Sequence, residues 1–298
     1  MNASRRRALR VLAATGGGAA VSAAPAHAAR APRAVPPEAM GMLYDTTKCI
    51  GCKACVAACS VANDLEPDRG PDGLHMRPLD LDGKTKNVIK LYKEGERVSF
   101  FKAQCMHCVD PACASACMLH SLHKDETTGI VAYDPQYCVG CRYCQMSCPF
   151  NVPKFEFDKA VPKIVKCELC RHRSAEGKGP ACAEVCPRDA VTFGKRGELL
   201  AEARRRLEAR PEAYQPKIYG ESDGGGTNVL YLSPVSFQAL GLPVLGTEPA
   251  PALSETIQHG IYQGFVAPIA LLGALSFVTW RNRKGADPAS PGSEEEHR

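Results

Sequence analysis

The chain has 298 residues, 45% of them hydrophobic and 23% charged, which excludes a disordered chain and leaves room for one or two compact domains with processing and anchoring segments. Much of the formal charge of +5 comes from Arg5, Arg6, Arg7 and Arg10, in a segment expected to be removed, so the remainder is nearly neutral and gives no case for binding nucleic acid. Aromatic residues make up only 6%, so something other than aromatic packing must hold the fold, and the 16 cysteines are the candidate.

Residues 1–28 read as a signal peptide: a basic start, a small-residue apolar stretch from Val11 to Ala24, and Ala26-His27-Ala28 as the cleavage site. Ser4-Arg5-Arg6-Arg7-Ala8-Leu9-Arg10 fits the twin-arginine export pattern at several positions. Proteins exported by that route cross already folded, so metal clusters can be assembled inside the cell first. A Pro/Ala-rich linker over 29–40 leads into a cysteine domain expected over 41–197.

The cysteines fall into four groups of four. Cys49, Cys52, Cys55 and Cys59 are spaced C-x2-C-x2-C-x3-C, and Cys138, Cys141, Cys144 and Cys148 repeat that spacing. Cys105, Cys108, Cys113 and Cys117 widen the middle gap, and Cys167, Cys170, Cys182 and Cys186 widen it further. Iron in a [4Fe-4S] cluster is held by four thiolates, and a C-x2-C-x2-C loop wraps three of them round one cluster while the fourth reaches the neighbouring cluster. Four complete groups with no cysteine left over predict four [4Fe-4S] clusters, with iron bound through these same cysteines.

Two other chemistries also use clustered cysteines. An even cysteine count in an exported chain suits disulfides, but those frameworks belong mostly to small domains and do not need the repeated run. Structural zinc pairs two C-x2-C halves at one tetrahedral site, whereas the first and third groups crowd three ligands into seven residues. His107 lies between two ligand cysteines with every ligand place in its group taken, which predicts a surface or supporting role. His120 and His123 have no further free ligands nearby and are expected to be solvated. No nucleophile triad, phosphate-cradling glycine loop or site for molybdenum or nickel is present, so no catalytic residue is assigned and the catalyst must lie on another chain.

Gly129 to Tyr133 and Ala190 to Phe193 read as strands feeding the ligand loops. Glu198 to Ala209 reads as a helix with Leu199, Leu200, Ala203 and Leu207 on one stripe, expected to be a charged surface helix. The stretch 198–256 is that helix followed by a Pro- and Gly-rich extended arm. An anchor follows over 257–284: Gly260 to Trp280 carries no formal charge, and roughly 20 such residues cross a bilayer. Arg281, Arg283 and Lys284 then predict a cytoplasmic tail over 285–298.

Gly41-Met42-Leu43-Tyr44-Asp45 before Cys-Ile-Gly-Cys, Gln104-Cys105-Met106-His107-Cys108-Val109-Asp110-Pro111, Gly140-Cys141-Arg142-Tyr143-Cys144 and Asn151-Val152-Pro153-Lys154 carry a resemblance. The chain resembles the iron-sulphur electron-transfer subunits of hydrogenase-2, within the wider family of four-cluster ferredoxin-like subunits of formate dehydrogenase and dimethyl sulfoxide reductase. The likeness runs from the leader through Tyr219-Gly220-Glu221, Gly224-Gly225-Gly226-Thr227 and Ile257-Gln258-His259 to the last helix. It implies an α+β fold: a double ferredoxin-like four-[4Fe-4S] domain with a C-terminal extended arm and a single transmembrane helix. It also implies the ligand sets: Cys49, Cys52, Cys55 and Cys186 for cluster 1; Cys59, Cys167, Cys170 and Cys182 for cluster 2. Cys105, Cys108, Cys113 and Cys148 would hold cluster 3, and Cys117, Cys138, Cys141 and Cys144 cluster 4. Spacing alone also permits pairing by adjacency. Met118 departs from the family, which commonly has Pro there.

The implied role is an electron relay between the small and large subunits of a periplasmic NiFe hydrogenase and a quinone-reactive integral-membrane partner. The chain would sit on the periplasmic face of the cytoplasmic membrane, its own helix in the lipid bilayer. The rival expectation is the same relay beside a molybdopterin oxidoreductase; a structural zinc-binding protein is the reading from a different class.

Overall fold

A computed structural model describes residues 33–66, 80–174 and 176–283. The leader expected over 1–28, the start of the linker and the tail expected over 285–298 lie outside the described residues. In chain order the elements begin with β1 (Met40–Asp45), α1 (Ala54–Ala62), β2 (Asn87–Glu94), β3 (Arg97–Gln104) and α2 (Ala112–Ser115). Next come β4 (Leu122–Lys124), β5 (Val131–Tyr133), α3 (Tyr143–Ser147), β6 (Lys154–Phe155), β7 (Ile164–Val165), α4 (Arg171–Ser174) and α5 (Ala181–Glu184). The last are β8 (Val191–Lys195), α6 (Arg196–Ala209), β9 (Val229–Leu232) and α7 (Ala252–Arg283).

The strands nest the cysteine groups in two halves. β1, which leads into the first group, pairs antiparallel with β8, which follows the fourth. β4, after the second group, pairs antiparallel with β5, before the third. The short helices follow the same plan: α1 packs on α5, and α2 on α3. The ferredoxin-like, mixed helix-and-strand part of the expected fold is what forms.

β9 lies against the other side of β1, in parallel, giving the order β8-β1-β9. All four of its residues are buried, so the segment expected to be an extended arm returns as part of the core. A Cβ on Gly41 in β1 would collide with the Asn228 carbonyl oxygen, so glycine there permits the close approach. α6 lays Leu199 and Ala203 onto Leu43, Leu230 and Leu232, so its apolar stripe is core, each leucine burial contributing about 1.5–3 kcal/mol.

β2 and β3 form a hairpin with a two-residue turn at Gly95 and Glu96, Gly95 taking φ 58°. Two tyrosines fasten it to the central sheet: Tyr44 donates to the Phe100 carbonyl at 3.1 Å and Tyr231 to the Lys102 carbonyl at 2.7 Å. Their rings continue into Phe101, Tyr219 and Phe237 as the main core.

The expected membrane-crossing helix is corrected. α7 is one helix of 32 residues, yet among the described residues no helix is long and apolar enough to cross a membrane. An absence of formal charge overstated the apolar character: Gly264, Pro268, Gly273, Ser276 and Thr279 dilute the stretch, and Glu255 sits in the first turn.

Candidate functional site

Each C-x2-C loop turns by the same backbone device. The residue before the second cysteine is left-handed in all four: Gly51 (φ 71°), His107 (φ 47°), Gly140 (φ 70°) and Leu169 (φ 50°). In the two groups of identical spacing the residue after that cysteine, Lys53 or Arg142, is left-handed too. Such turns gather backbone N–H groups into a concavity that suits anionic groups, iron-sulphur clusters among them. The Gly51 N–H lies 3.4 Å from Cys49 Sγ and the Leu169 N–H 3.4 Å from Cys167 Sγ. Leu122 N–H and Ala190 N–H reach Cys117 Sγ and Cys186 Sγ at 3.4 and 3.3 Å. On α1 the C-x3-C spacing puts Cys55 and Cys59 one helical turn apart, both buried.

All sixteen cysteines are free thiols. Burial, with neighbouring thiols adding to it, pushes Cys55 up to about 12, Cys59 to about 11 and Cys144 to about 12. Iron must therefore displace protons as it binds. The thiols that act on one another fall into sets. Cys49 is acted on by Cys186 and Cys52, and Cys55 by Cys49 and Cys186. Cys182 and Cys170 act on Cys59, and Cys182 and Cys59 on Cys167. Cys108 is surrounded by Cys113, Cys105 and Cys148, and Cys144 by Cys117, Cys138 and Cys141.

The sets also touch in order. Cys182 acts on Cys55, Cys105 on Cys167, and Cys144 on Cys113, so the sets containing Cys49, Cys167, Cys105 and Cys144 follow one another in a line. A cavity of about 140 Å³ lies among Cys117, Cys138, Cys141 and Cys144, closed by Leu122 and Phe155. One of about 20 Å³ lies among Cys49, Cys52, Cys55 and Cys186. Among the described residues no three His, Cys, Asp or Glu side chains stand as a group that could hold a single metal ion.

Comparison with known proteins matches this arrangement. Two family models, each described as a 4Fe-4S dicluster domain, match residues 41–118 and 96–196. The chain is 41% identical to the hydrogenase-2 operon protein HybA of Escherichia coli O157:H7, over 87% of this chain and 89% of that one. It is 40% identical to a protein of Nitratidesulfovibrio vulgaris, over 94% of this chain and 78% of that one. The formate dehydrogenase-O iron-sulfur subunit of Escherichia coli K12 is 33% identical, covering 79% of each. The chain belongs to this iron-sulphur subunit family.

As a member of that family it is a non-catalytic iron-sulphur electron-transfer subunit carrying four [4Fe-4S] clusters. An orphaned polar atom fits that cargo. His107, expected at a surface or in a supporting role, is fully buried. Its Nδ1 accepts the Val131 N–H at 3.0 Å, and its Nε2 has no partner among the described residues. Burial, then the charges of Lys166 and Lys124, hold its pKa well below the usual imidazole range, so Nε2 carries a proton to donate. His120 is exposed, as expected, and His123 half-buried.

The family's cysteine pattern says nothing of three other residues here. Lys166 is 2% exposed and donates to the Val131 and Cys167 carbonyls at 2.5 and 3.1 Å. Lys102 is 1% exposed, on the face of β3 that it shares with Phe100 and Gln104. That face looks at the first ligand loop, since a Cβ on Gly51 would run into the Phe100 ring. The Lys102 ammonium donates to Gln104 Oε1, and Gln104 Nε2 reaches Met42 Sδ at 3.2 Å. Burial alone would pull the Lys102 pKa down, but Cys182, Cys55, Cys167 and Cys59 outweigh it and raise it.

Proposed function

We propose that this chain relays electrons between a periplasmic NiFe hydrogenase, small and large subunits, and a quinone-reactive integral-membrane partner. The observation that carries the choice of hydrogenase is the 41% identity to the hydrogenase-2 operon protein, against 33% to the formate dehydrogenase subunit. Within the relay, Cys49, Cys52, Cys55 and Cys186 hold cluster 1, and Cys59, Cys167, Cys170 and Cys182 cluster 2. Cys105, Cys108, Cys113 and Cys148 hold cluster 3, and Cys117, Cys138, Cys141 and Cys144 cluster 4. The mutual proximities of these thiols support that assignment. When bound, each cluster takes up and gives back one electron.

The residues of the chain supply the rest: left-handed loops offer N–H donors to sulphur, and the apolar core keeps water away from the middle of the line. At one end Cys141 is exposed, and Met118 and Val139, 76% and 71% exposed, line the same cavity. Exposed apolar side chains beside an outermost set suit a partner that exchanges electrons there.

The deciding experiment uses intact membranes. Under hydrogen, the clusters of this chain should reduce, as followed by electron paramagnetic resonance. Clusters that stay oxidised under hydrogen and reduce with formate would move the chain to a molybdopterin enzyme.

The same proposal includes export by the twin-arginine route to the periplasmic face of the membrane, motivated by Ser4 to Arg10 and by cofactors inserted before translocation. Changing Arg5, Arg6 and Arg7 together to Lys should leave the precursor inside the cell, as read by fractionation and immunoblot. Normal export of the triple variant would refute that route.

A further inference from the structure

We propose that Lys102 is a buried counter-charge shared by clusters 1 and 2, raising the potential of both. The geometry behind it is independent of the cysteine spacing. Lys102 sits on the inner face of β3, 1% exposed, and its ammonium has a neutral amide, Gln104, as its hydrogen-bond acceptor. No carboxylate pairs with it among the described residues: Glu168, Asp80 and Asp45 pair with Lys86, Lys90 and Arg206. The thiols it acts on are Cys55 of the first set and Cys182, Cys167 and Cys59 of the second.

A buried ammonium without an anion is costly to desolvate, and proteins keep one only where a negative charge faces it. Four thiolates around a [4Fe-4S] core leave that unit net negative, and reduction adds one electron and no proton. A fixed positive charge between two such units therefore stabilises the reduced state of each. Cluster potentials respond to net charge and to hydrogen bonds near sulphur. Lys102 acts through the clusters without being a ligand, so it is a positioning residue. Gln104 holds the ammonium in place, and Tyr231, donating to the Lys102 carbonyl at 2.7 Å, holds its backbone.

This inference rests on the ligand sets proposed above, and the test separates the two. The whole chain is purified without oxygen, its iron counted, and its clusters titrated with redox mediators while electron paramagnetic resonance is recorded. Lys102→Met keeps the length and removes the charge. At a fixed potential it should lower the reduced-to-oxidised ratio of two of the four clusters about tenfold, which is about 59 mV for a one-electron couple. The other two should stay where they were, and Lys102→Arg should restore the ratio.

Gln104→Glu covers the chance that Lys102→Met assembles poorly. It leaves Lys102 in place and sets a carboxylate against it, so the same two clusters should move in the same direction. Four potentials unmoved by either variant, or all four moving together, would overturn the role of Lys102 with the ligand sets intact. Iron well below about sixteen per unsubstituted chain would instead overturn the ligand sets.

Discussion

Cys167→Ser should stop electrons from crossing the chain while leaving both ends loaded. Cys167 is buried at the midpoint of the line, acted on by Cys182 and Cys59 on one side and by Cys105 on the other. Its sulphur also takes the Leu169 N–H, so a serine there loses an iron ligand and the loop's hydrogen bond together. Removing a group that merely supports a metal ligand costs about 10–100-fold in affinity or activity, and removing the ligand costs no less. In the proposed hydrogenase relay, hydrogen-dependent quinone reduction should therefore fall by roughly a hundredfold or more, and iron from about sixteen to about twelve per chain. Cys141→Ser is the contrast: its thiol is exposed at an end of the line, so one outer cluster should be lost while the other three assemble. If Cys167→Ser passes electrons at the normal rate, the clusters do not work in series.

Much of this site could be read from spacing, because cluster chemistry fixes which residue types are needed and how far apart. The four groups, the strands beside them and the nested halves all follow from local pattern plus family resemblance. What escaped notice has specific physical causes. His107 occupies a left-handed position where the two near-copy groups have Gly51 and Gly140, so a residue that looks like a spare ligand is partly a turn residue. Lys102 lies in the half of β3 that is buried on both faces, where alternation gives no signal and a lone lysine reads as solvated. The run Val229-Leu230-Tyr231-Leu232 is a short continuous apolar stretch of the kind that fills a central strand, but the prolines and glycines around it suggested an arm. Counting charges between Gly260 and Trp280 missed the glycine, proline, serine and threonine that separate an uncharged helix from a membrane-crossing one.

Arg196→Met should loosen the second ligand loop although Arg196 touches no cysteine. The returning segment lies along that loop: Val109 N–H donates to the Gly226 carbonyl at 2.9 Å, while Asn228 N–H and Val229 N–H donate to His107 and Met106 at 3.1 Å each. Arg196, 8% exposed, holds the segment from the other side, with Nε on the Thr227 carbonyl at 2.7 Å and Nη2 on those of Glu221 and Gly220 at 3.0 and 3.3 Å. A hydrogen bond from a charged donor contributes about 1.5–3 kcal/mol, and two of the three are short, so the loss should be about 3–6 kcal/mol. For a unit of this size that is roughly a 10 °C drop in unfolding temperature. Amide hydrogen exchange at Met106, His107 and Val109 should quicken first, and, on the ligand sets proposed above, the cluster assigned to Cys105, Cys108, Cys113 and Cys148 should be the one that oxygen removes fastest. Arg204→Ala separates packing from charge, because the exposed Arg204 pairs with the Glu221 carboxylate at the surface and its loss should change stability by less than about 1 kcal/mol. Were exchange at 106–109 unchanged in Arg196→Met, the returning segment would not be what shapes the loop, and the loop's left-handed turn at His107 would have to hold it unaided.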